Sequence, residues 1–545
     1  MESRPKHSAT ARGDWSCSGG PQSGELSNAF RNYGDVWVEC IPLLAEEGIL
    51  RDGNDEVLYL RGELSPLQST SMRKLLTFSV LLLATLLLPS LLSAADLRLI
   101  DAVRRGDRGA VRELLRNHVD INVAQPDGST ALLLAADRND PELVDLLIKA
   151  GANVNARNDY GATPLYAASA GGNIEILEIL LDAKADVNAT LVGGETPLMA
   201  VADKGNVDAV RLLLDHGADV NARESKGGQS ALMWAVAGRH TEIVKLLLDH
   251  GADVRARSKG DFTALLFAAQ QGDTGCGRLL LESGADINET RKSDRMTPLI
   301  VAAASGHYDF AALLLNRGAN LNLTDDGGRT ALHYAALDEK RVDLVKALLG
   351  HGANPNPRTT KDSPRNYNAG VSFKGATPLL FAASRGNMDT VRALIAGGAD
   401  PFMTTDDKTA PLHVASWGGT PYARDWTEDE KKNLLAVTRL LVELGADVNS
   451  AGEHKWTALH GAAYKGVDSV VEFLVERGAK MDAFDEYGQT PLSIATAVIT
   501  AGIKDYYYQS SRVVRQSTAD LLLKLGATPL AQSGVQTLEL FSKER

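Results

Sequence analysis

The chain is predicted to be an all-α solenoid of stacked helix-turn-helix units joined by β-turn fingers. Three observations carry this. A segment of about thirty-three residues recurs, giving about eleven full repeats between Ser129 and Pro529. Each copy pairs a short small-residue helix with a leucine-rich one, and each closes on a run of the type Gly-Ala-Asp/Asn-x-Asn. A fixed period of this size belongs to architectures in which each unit touches only its neighbours.

The elements follow in order within one copy. The opening position is held by Thr130, Thr163, Thr196, Ser230, Thr263, Thr297, Thr330, Thr377, Ala410, Thr457 and Thr490. In the second copy, Tyr160-Gly161 reads as a turn, Thr163 as a helix N-cap, and Pro164 as the first helical residue, where no N–H is needed. Leu165, Ala167 and Ala168 give a short helix with a closely packable face, broken at Gly172-Asn173. Ile176, Ile179 and Leu180 then recur at helical spacing. In the third copy Gly217 stands just past the last leucine, where a left-handed residue closes a helix. A single pair of this kind cannot bury its apolar face, so the copies must stack.

Two copies, Thr330-Ala331-Leu332-His333-Tyr334-Ala335-Ala336 and Thr457-Ala458-Leu459-His460-Gly461-Ala462-Ala463, bring the pattern closest to a known one. The array resembles the ankyrin repeat over 97–529, about four fifths of the chain. Leu97 to Val123 reads as an opening half-repeat, with Asp101-Ala102-Val103-Arg104-Arg105-Gly106 in place of the Thr-Pro-Leu helix. The last copy ends at Leu525-Gly526-Ala527, and residues 530–545 form a polar tail.

Ahead of the array, Met72-Arg73-Lys74 precedes an apolar run from Leu75 to Leu88, followed by Pro89, Ser90 and Ser93-Ala94-Ala95. That is the order of an export signal: charge, apolar core, small-residue cleavage site. Residues 72–95 are read as a signal peptide with cleavage after Ala95, so that 96–529 is the mature solenoid. The competing reading is an uncleaved anchor, since Leu75 to Ala95 nearly reaches the roughly twenty residues of a membrane span. Residues 1–71 lack the repeat and are expected to be disordered, or an extension upstream of a true start at Met72. Either way the repeats are expected outside the cytoplasm: periplasmic or secreted in a bacterium if the signal is removed, membrane-anchored if it is kept. Membrane contact is then limited to the uncleaved segment.

Composition narrows the function. The net charge of −12 argues against binding nucleic acid through the whole-molecule field. Cys17, Cys40 and Cys276 have no metal-ligand spacing, and Cys276 reads as a small apolar core residue. No His-Glu-x-x-His, Gly-x-Ser-x-Gly or phosphate-loop motif occurs. No catalytic residue, cofactor or metal is therefore expected. The carboxylates are expected at turns and on the surface. His333, His413 and His460 share one place in the repeat, directly after the Leu of the Thr-Pro/Ala-Leu turn. The resemblance implies that this histidine is structural and ties turns together. Leu133, Tyr166, Met199, Met233, Leu266, Ile300, Leu380 and Ser493 stand there in other copies, where apolar packing is expected instead. The glycosylation patterns at Asn188, Asn288 and Asn322 are by-products of the repeat's closing asparagine.

The ankyrin resemblance implies a protein partner bound on the turn tips and the concave face of the first helices. Phe262, Met296 and Trp456 precede their helix caps; Trp417 and Tyr464 end first helices; Tyr487 sits on a turn tip. These six are the candidate partner-binding residues, with Trp417, Trp456, Tyr464 and Tyr487 expected in one patch. The step from cap to cap lengthens to forty-seven between Thr330 and Thr377, and again between Ala410 and Thr457. Insertions in repeat arrays are loops, often on the binding face. The first lies near Thr359 to Lys374. The second, Thr420 to Leu434, holds Trp426-Thr427-Glu428-Asp429-Glu430, a capped extra helical turn. A third, Gly502 to Ser511, carries Tyr506-Tyr507-Tyr508. The reading is a monomeric, non-catalytic scaffold for protein–protein interaction. The alternatives are a ligand-processing enzyme with its site in the groove or insertions, and a bacterial effector acting on host proteins.

Overall fold

The computed structural model describes residues 97–361, 373–418, 426–497 and 514–530, with the backbone of a two-residue antiparallel pairing of Ile499–Thr500 with Thr537–Leu538. The export segment, residues 1–71, most of the first insertion and all of Gly502 to Ser511 lie outside the described residues. The described chain groups into two compact units, one reaching Val192 and the other beginning at Gly193, with Asp215–Gly217 belonging to the first.

The first unit opens with a helix over 97–105 and a second at Arg108–Arg116. The expected half-repeat is thus a complete helix pair that lacks only the threonine cap. Its second helix is pinned to the following copy by Arg108, whose guanidinium lies 2.9 Å from Asp140. Two pairs follow, Ala131–Asp137 with Pro141–Lys149 and Pro164–Gly171 with Ile174–Asp182. First helix packs on first helix, and second on second.

The second unit continues the same pairing. It includes Ala231–Ala237 with Thr241–Asp249, Ala264–Gln271 with Thr274–Glu282, Pro298–Ser305 with Tyr308–Asn316, and Ala331–Ala336 with Val342–Gly350. Pro378–Ser384 with Met388–Ala396, Pro411–Trp417 with Glu428–Glu443, Ala458–Lys465 with Asp468–Glu476, and Pro491–Ala495 with Gln516–Leu525 complete it.

The helices start where the sequence marks them. Thr163 Oγ1 accepts the Tyr166 N–H at 3.2 Å, and Thr196, Thr263 and Thr297 repeat the bond at the same length. Each such cap contributes about 1 kcal/mol. First helices are buried nearly all round, as in Leu265, Leu266, Phe267, Ala268 and Ala269, because a neighbour covers them on both sides. Their alanines let backbones approach. Second helices bury one face only, as in Ile176, Leu177, Leu180 and Leu181.

The closing asparagine explains itself in three dimensions. Asn288 Oδ1 accepts the Asn320 N–H at 2.8 Å, Asn322 the Asn354 N–H at 3.0 Å, and Asn356 the Asp400 N–H at 2.9 Å. Asn356 Nδ2 also donates to Gly398 O at 3.1 Å. One amide thus satisfies a donor and an acceptor in the next repeat. Asn188 likewise donates to Gly217 O, so the three glycosylation-like asparagines are structural. Arg255 and Phe402 occupy this position in two copies of the second unit, and the ladder has no asparagine there.

Candidate protein-binding face

Between second helix and cap the chain turns back as a finger. Five residues before the cap stands a collector of backbone N–H groups. Asp325 accepts from Gly327 and Arg329, and Asp485 from Tyr487 and Gln489, all at 2.8 Å. Consecutive fingers are joined edge to edge: Lys259 N–H donates to Gly227 O, Asp326 N–H to Asp294 O and Glu486 N–H to His454 O. These fingers correct the expectation that carboxylates lie on the surface. Glu224, Glu289, Asp325 and Asp485 are buried: Glu224, Asp325 and Asp485 are consumed by the turns they organise, and Glu289 is held by Thr263 and Arg257 of the preceding copy. Burial pushes Glu289 and Asp485 above the usual carboxylate range.

Three of the predicted residues meet in one block. The rings of Trp417, Trp456 and Tyr464 lie at centroid distances of 6.3, 6.4 and 5.7 Å, each pair steeply inclined. Edge-to-face contacts of this kind add about 1 kcal/mol each beyond burial. Trp417 was expected on the surface, and here the structure differs: it is only 7 % exposed. It lies under its two partners and against Gly461, where a Cβ would come within 2.9 Å of its ring. Trp456 and Tyr464 are half-buried and form the outer layer. Trp456 Nε1 donates to Asp485 Oδ2 at 3.2 Å, which locks the indole to the next finger. Tyr487, also half-buried, stands on the adjoining finger. It packs on His454 at 5.5 Å, and its hydroxyl lies 3.2 Å from His454 Nδ1. The Glu486 carboxylate reaches the same Nδ1, and the Glu453 carboxylate stands 3.5 Å from Nε2 on the other side of the imidazole. The patch is therefore two neighbouring clusters on joined fingers.

Trp426 packs over Gly418, a left-handed residue with φ 77° whose Cβ, if present, would lie 2.2 Å from the indole. The predicted turn after it is the start of a sixteen-residue helix, Glu428–Glu443. Thr427 Oγ1 accepts the Glu430 N–H at 3.2 Å while Glu430 returns to the Thr427 N–H at 2.8 Å.

Phe262 and Met296 lie elsewhere, on fingers of earlier copies, and both are half-buried. Phe262 leans on Phe267 at 5.0 Å, and the Arg291 guanidinium sits 4.6 Å over its other face. Met296 Sδ is 3.6 Å from the same guanidinium. Arg291 thus links the two residues, a contact thirty residues distant from Phe262 that spacing does not reveal.

The histidines bridge turns. His333 Nδ1 accepts the Thr330 N–H at 3.0 Å, and Nε2 donates to Ala376 O in the next copy at 3.2 Å. His413 bonds Ala410 N–H and Ser450 O, both at 2.9 Å, and His460 bonds Thr457 N–H and Gln489 O. Burial holds all three neutral, His333 down to about 3 and His460 to about 4. Where other residues stand, Leu133, Met199, Met233, Leu266, Ile300 and Leu380 are buried apolar contacts. Ser493 keeps the local bond alone, accepting the Thr490 N–H at 2.8 Å. Cys276 is buried and its thiol is pushed up to about 12, chiefly by desolvation. Among the described residues no group of His, Cys, Asp or Glu is placed to hold a metal ion, and no helix is long and apolar enough to cross a membrane.

Stacked helix pairs, joined fingers and turn-bridging histidines define a helical repeat protein. Comparison with known proteins agrees. The ankyrin-repeat family model for runs of three copies matches residues 99–191, 185–258, 265–359 and 429–502, and the single-repeat model matches 374–406. The chain belongs to the ankyrin-repeat family. It is 36% identical over 137 residues to ankyrin repeat and SOCS box protein 3 of Bos taurus, covering 25% of this chain and 23% of that one. It is 31% identical over 121 residues to a transient receptor potential cation channel subfamily A member 1 homolog of Caenorhabditis elegans, covering 22% and 9%. Alpha-latroinsectotoxin-Lt1a of Latrodectus tredecimguttatus matches at 29% over 149 residues, covering 27% and 9%. The chain thus spans about a quarter or less of the length of these curated relatives.

Proposed function

We propose that this chain is a non-catalytic scaffold that holds a protein partner on its finger face, outside the cytoplasm. The aromatic block carries the reading. Trp456 and Tyr464 are half-exposed yet held by Trp417 beneath and by Asp485 alongside. Aromatics already fixed in place lose little freedom on binding, which is what lets a few residues dominate an interface. Tyr487 on the adjoining finger extends the surface. The export part of the proposal is supported by the pattern at Met72 to Ala95.

Two experiments test the two parts. Tyr464→Ala and Tyr487→Ala should each weaken partner binding by about tenfold or more while the thermal midpoint stays within a few degrees. Unchanged affinity would count against the face. Mass spectrometry of the native protein should find Asp96 at the mature N-terminus. A native peptide from residues 1–71 would count against a true start at Met72.

A further inference from the structure

The fingers of the fourth, fifth and sixth copies differ in charge from the acidic chain that carries them. Lys226, Lys259, Lys292 and Arg295 are exposed there, on fingers that follow one another. The carboxylates among them are already occupied. Glu224 accepts the N–H groups of Lys226, Gly227 and Gln229 at 2.6–2.8 Å. Glu289 is held by Thr263 and Arg257, and Asp261 by Arg257 and the Lys292 N–H. Asp294 pairs with Arg291 and accepts the Met296 N–H at 3.2 Å. Glu224 and Asp294 shape their own fingers, and Glu289 and Asp261 tie neighbouring ones together. Among the described residues Lys226, Lys292 and Arg295 have no carboxylate within ion-pair distance. The local outcome is a cationic strip on a chain of net charge −12. The half-buried Phe262–Arg291–Met296 group stands on the fingers of the fifth and sixth copies and adds apolar surface there.

The strip also has a period. Lys259 N–H donates to Gly227 O, and Lys292 N–H donates to Asp261, so the basic side chains stand on rungs in register. The first helices that carry these fingers pack directly on one another, and packed helices are about 8–10 Å apart. A polypeptide in the extended polyproline II form rises about 3.1 Å per residue with about three residues per turn, so every third side chain lies on one face. One rung therefore matches about three residues of an extended chain. A nucleic-acid backbone would also be drawn to cations, but the surrounding negative field opposes a long polyanion more than a short peptide.

We infer that the fingers of the fourth to sixth copies bind an extended acidic segment of a protein, with carboxylates at every third position. This rests on the protein-holding reading but concerns a separate surface.

The test is a titration of the full chain with a fluorescein-labelled peptide that carries glutamate at every third position and serine between. An isomer of the same composition has its glutamates in one block. The spaced peptide should bind about tenfold more tightly than the isomer, and the triple variant Lys226→Gln, Lys292→Gln, Arg295→Gln should lose about tenfold. Tyr464→Ala should leave the titration unchanged. Equal binding of the two isomers would overturn the inference, as would full affinity in the triple variant or tighter binding of a single-stranded oligonucleotide of equal charge. If the titration fails while Tyr464→Ala still weakens the native partner, this site alone is refuted. If the peptide binds while Tyr464→Ala has no effect on the partner, the aromatic face alone is refuted.

Discussion

Acid should loosen particular turns of the array before it unfolds the rest. His333 and His460 are neutral acceptors at Nδ1 and donors at Nε2, each bridging to the next copy. Protonation at Nδ1 would turn the Thr330 and Thr457 N–H groups against a second donor. Their titration falls from the ordinary 6.5 to about 3 and about 4 through burial. A lowered folded value means that the unfolded chain takes up the proton first. Stability is therefore fully present above about pH 6.5 and is lost as pH falls toward the folded values, at about 1.4 kcal/mol per histidine per pH unit. At about pH 4.5 each site should have lost roughly 3 kcal/mol, a factor of about a hundred in opening. Glu289 and Asp485, raised by burial, act in the opposite sense: their contribution is full below the ordinary carboxylate values and is lost as pH rises through the raised folded ones. Hydrogen exchange read by mass spectrometry, corrected for intrinsic rates, should show the loss of protection in Ala331–Ala336 and Ala458–Lys465. Ala131–Asp137 and Ala264–Gln271, with Leu133 and Leu266 in the histidine position, are the internal controls. His333→Leu should flatten the pH dependence of its own segment while costing about 1–2 kcal/mol at neutral pH for the unmet Thr330 N–H, since Ala376 O keeps the Thr359 N–H. Equal acid sensitivity in the controls, or an unchanged slope in His333→Leu, would refute the reasoning.

Two further perturbations follow from the packing. Phe402→Asn should restore the missing rung of the asparagine ladder and raise stability by about 1 kcal/mol, read as a higher urea midpoint; a lower midpoint would mean that the exposed phenylalanine is itself a contact. Cys276, buried and pushed up to about 12, should resist maleimide at neutral pH in the folded chain and react once urea opens it; rapid labelling of the native chain would contradict its burial.

Much of this was readable along the chain because the repeat writes its local chemistry in every copy. Thr163, Pro164 and the glycines act within a few residues of themselves, so their roles as cap, first helical residue and break are visible in order. The bridging role of His333 and His460 came with the family resemblance. What could not be read lies across the thirty-residue gap between copies. Trp417 ends a first helix like Tyr464, yet it is covered, because Gly461 in the next copy leaves room for its ring. Glu224 and Glu289 look like surface acids but are buried by the N–H groups and the arginine around them. Tyr487 belongs to the same three adjacent repeats as the tryptophans, yet its ring packs on His454. In each case the deciding neighbour is set by stacking register and not by any local pattern.

The central claim, that a protein partner sits on the finger face, is tested most directly by site-specific photocrosslinking. A photoreactive phenylalanine analogue at Tyr487 is compared with one at Glu472, an exposed residue on the second helix Asp468–Glu476 of the preceding copy. The account predicts a crosslinked partner from position 487 and none from 472. A partner captured from 472 and not from 487 would contradict it.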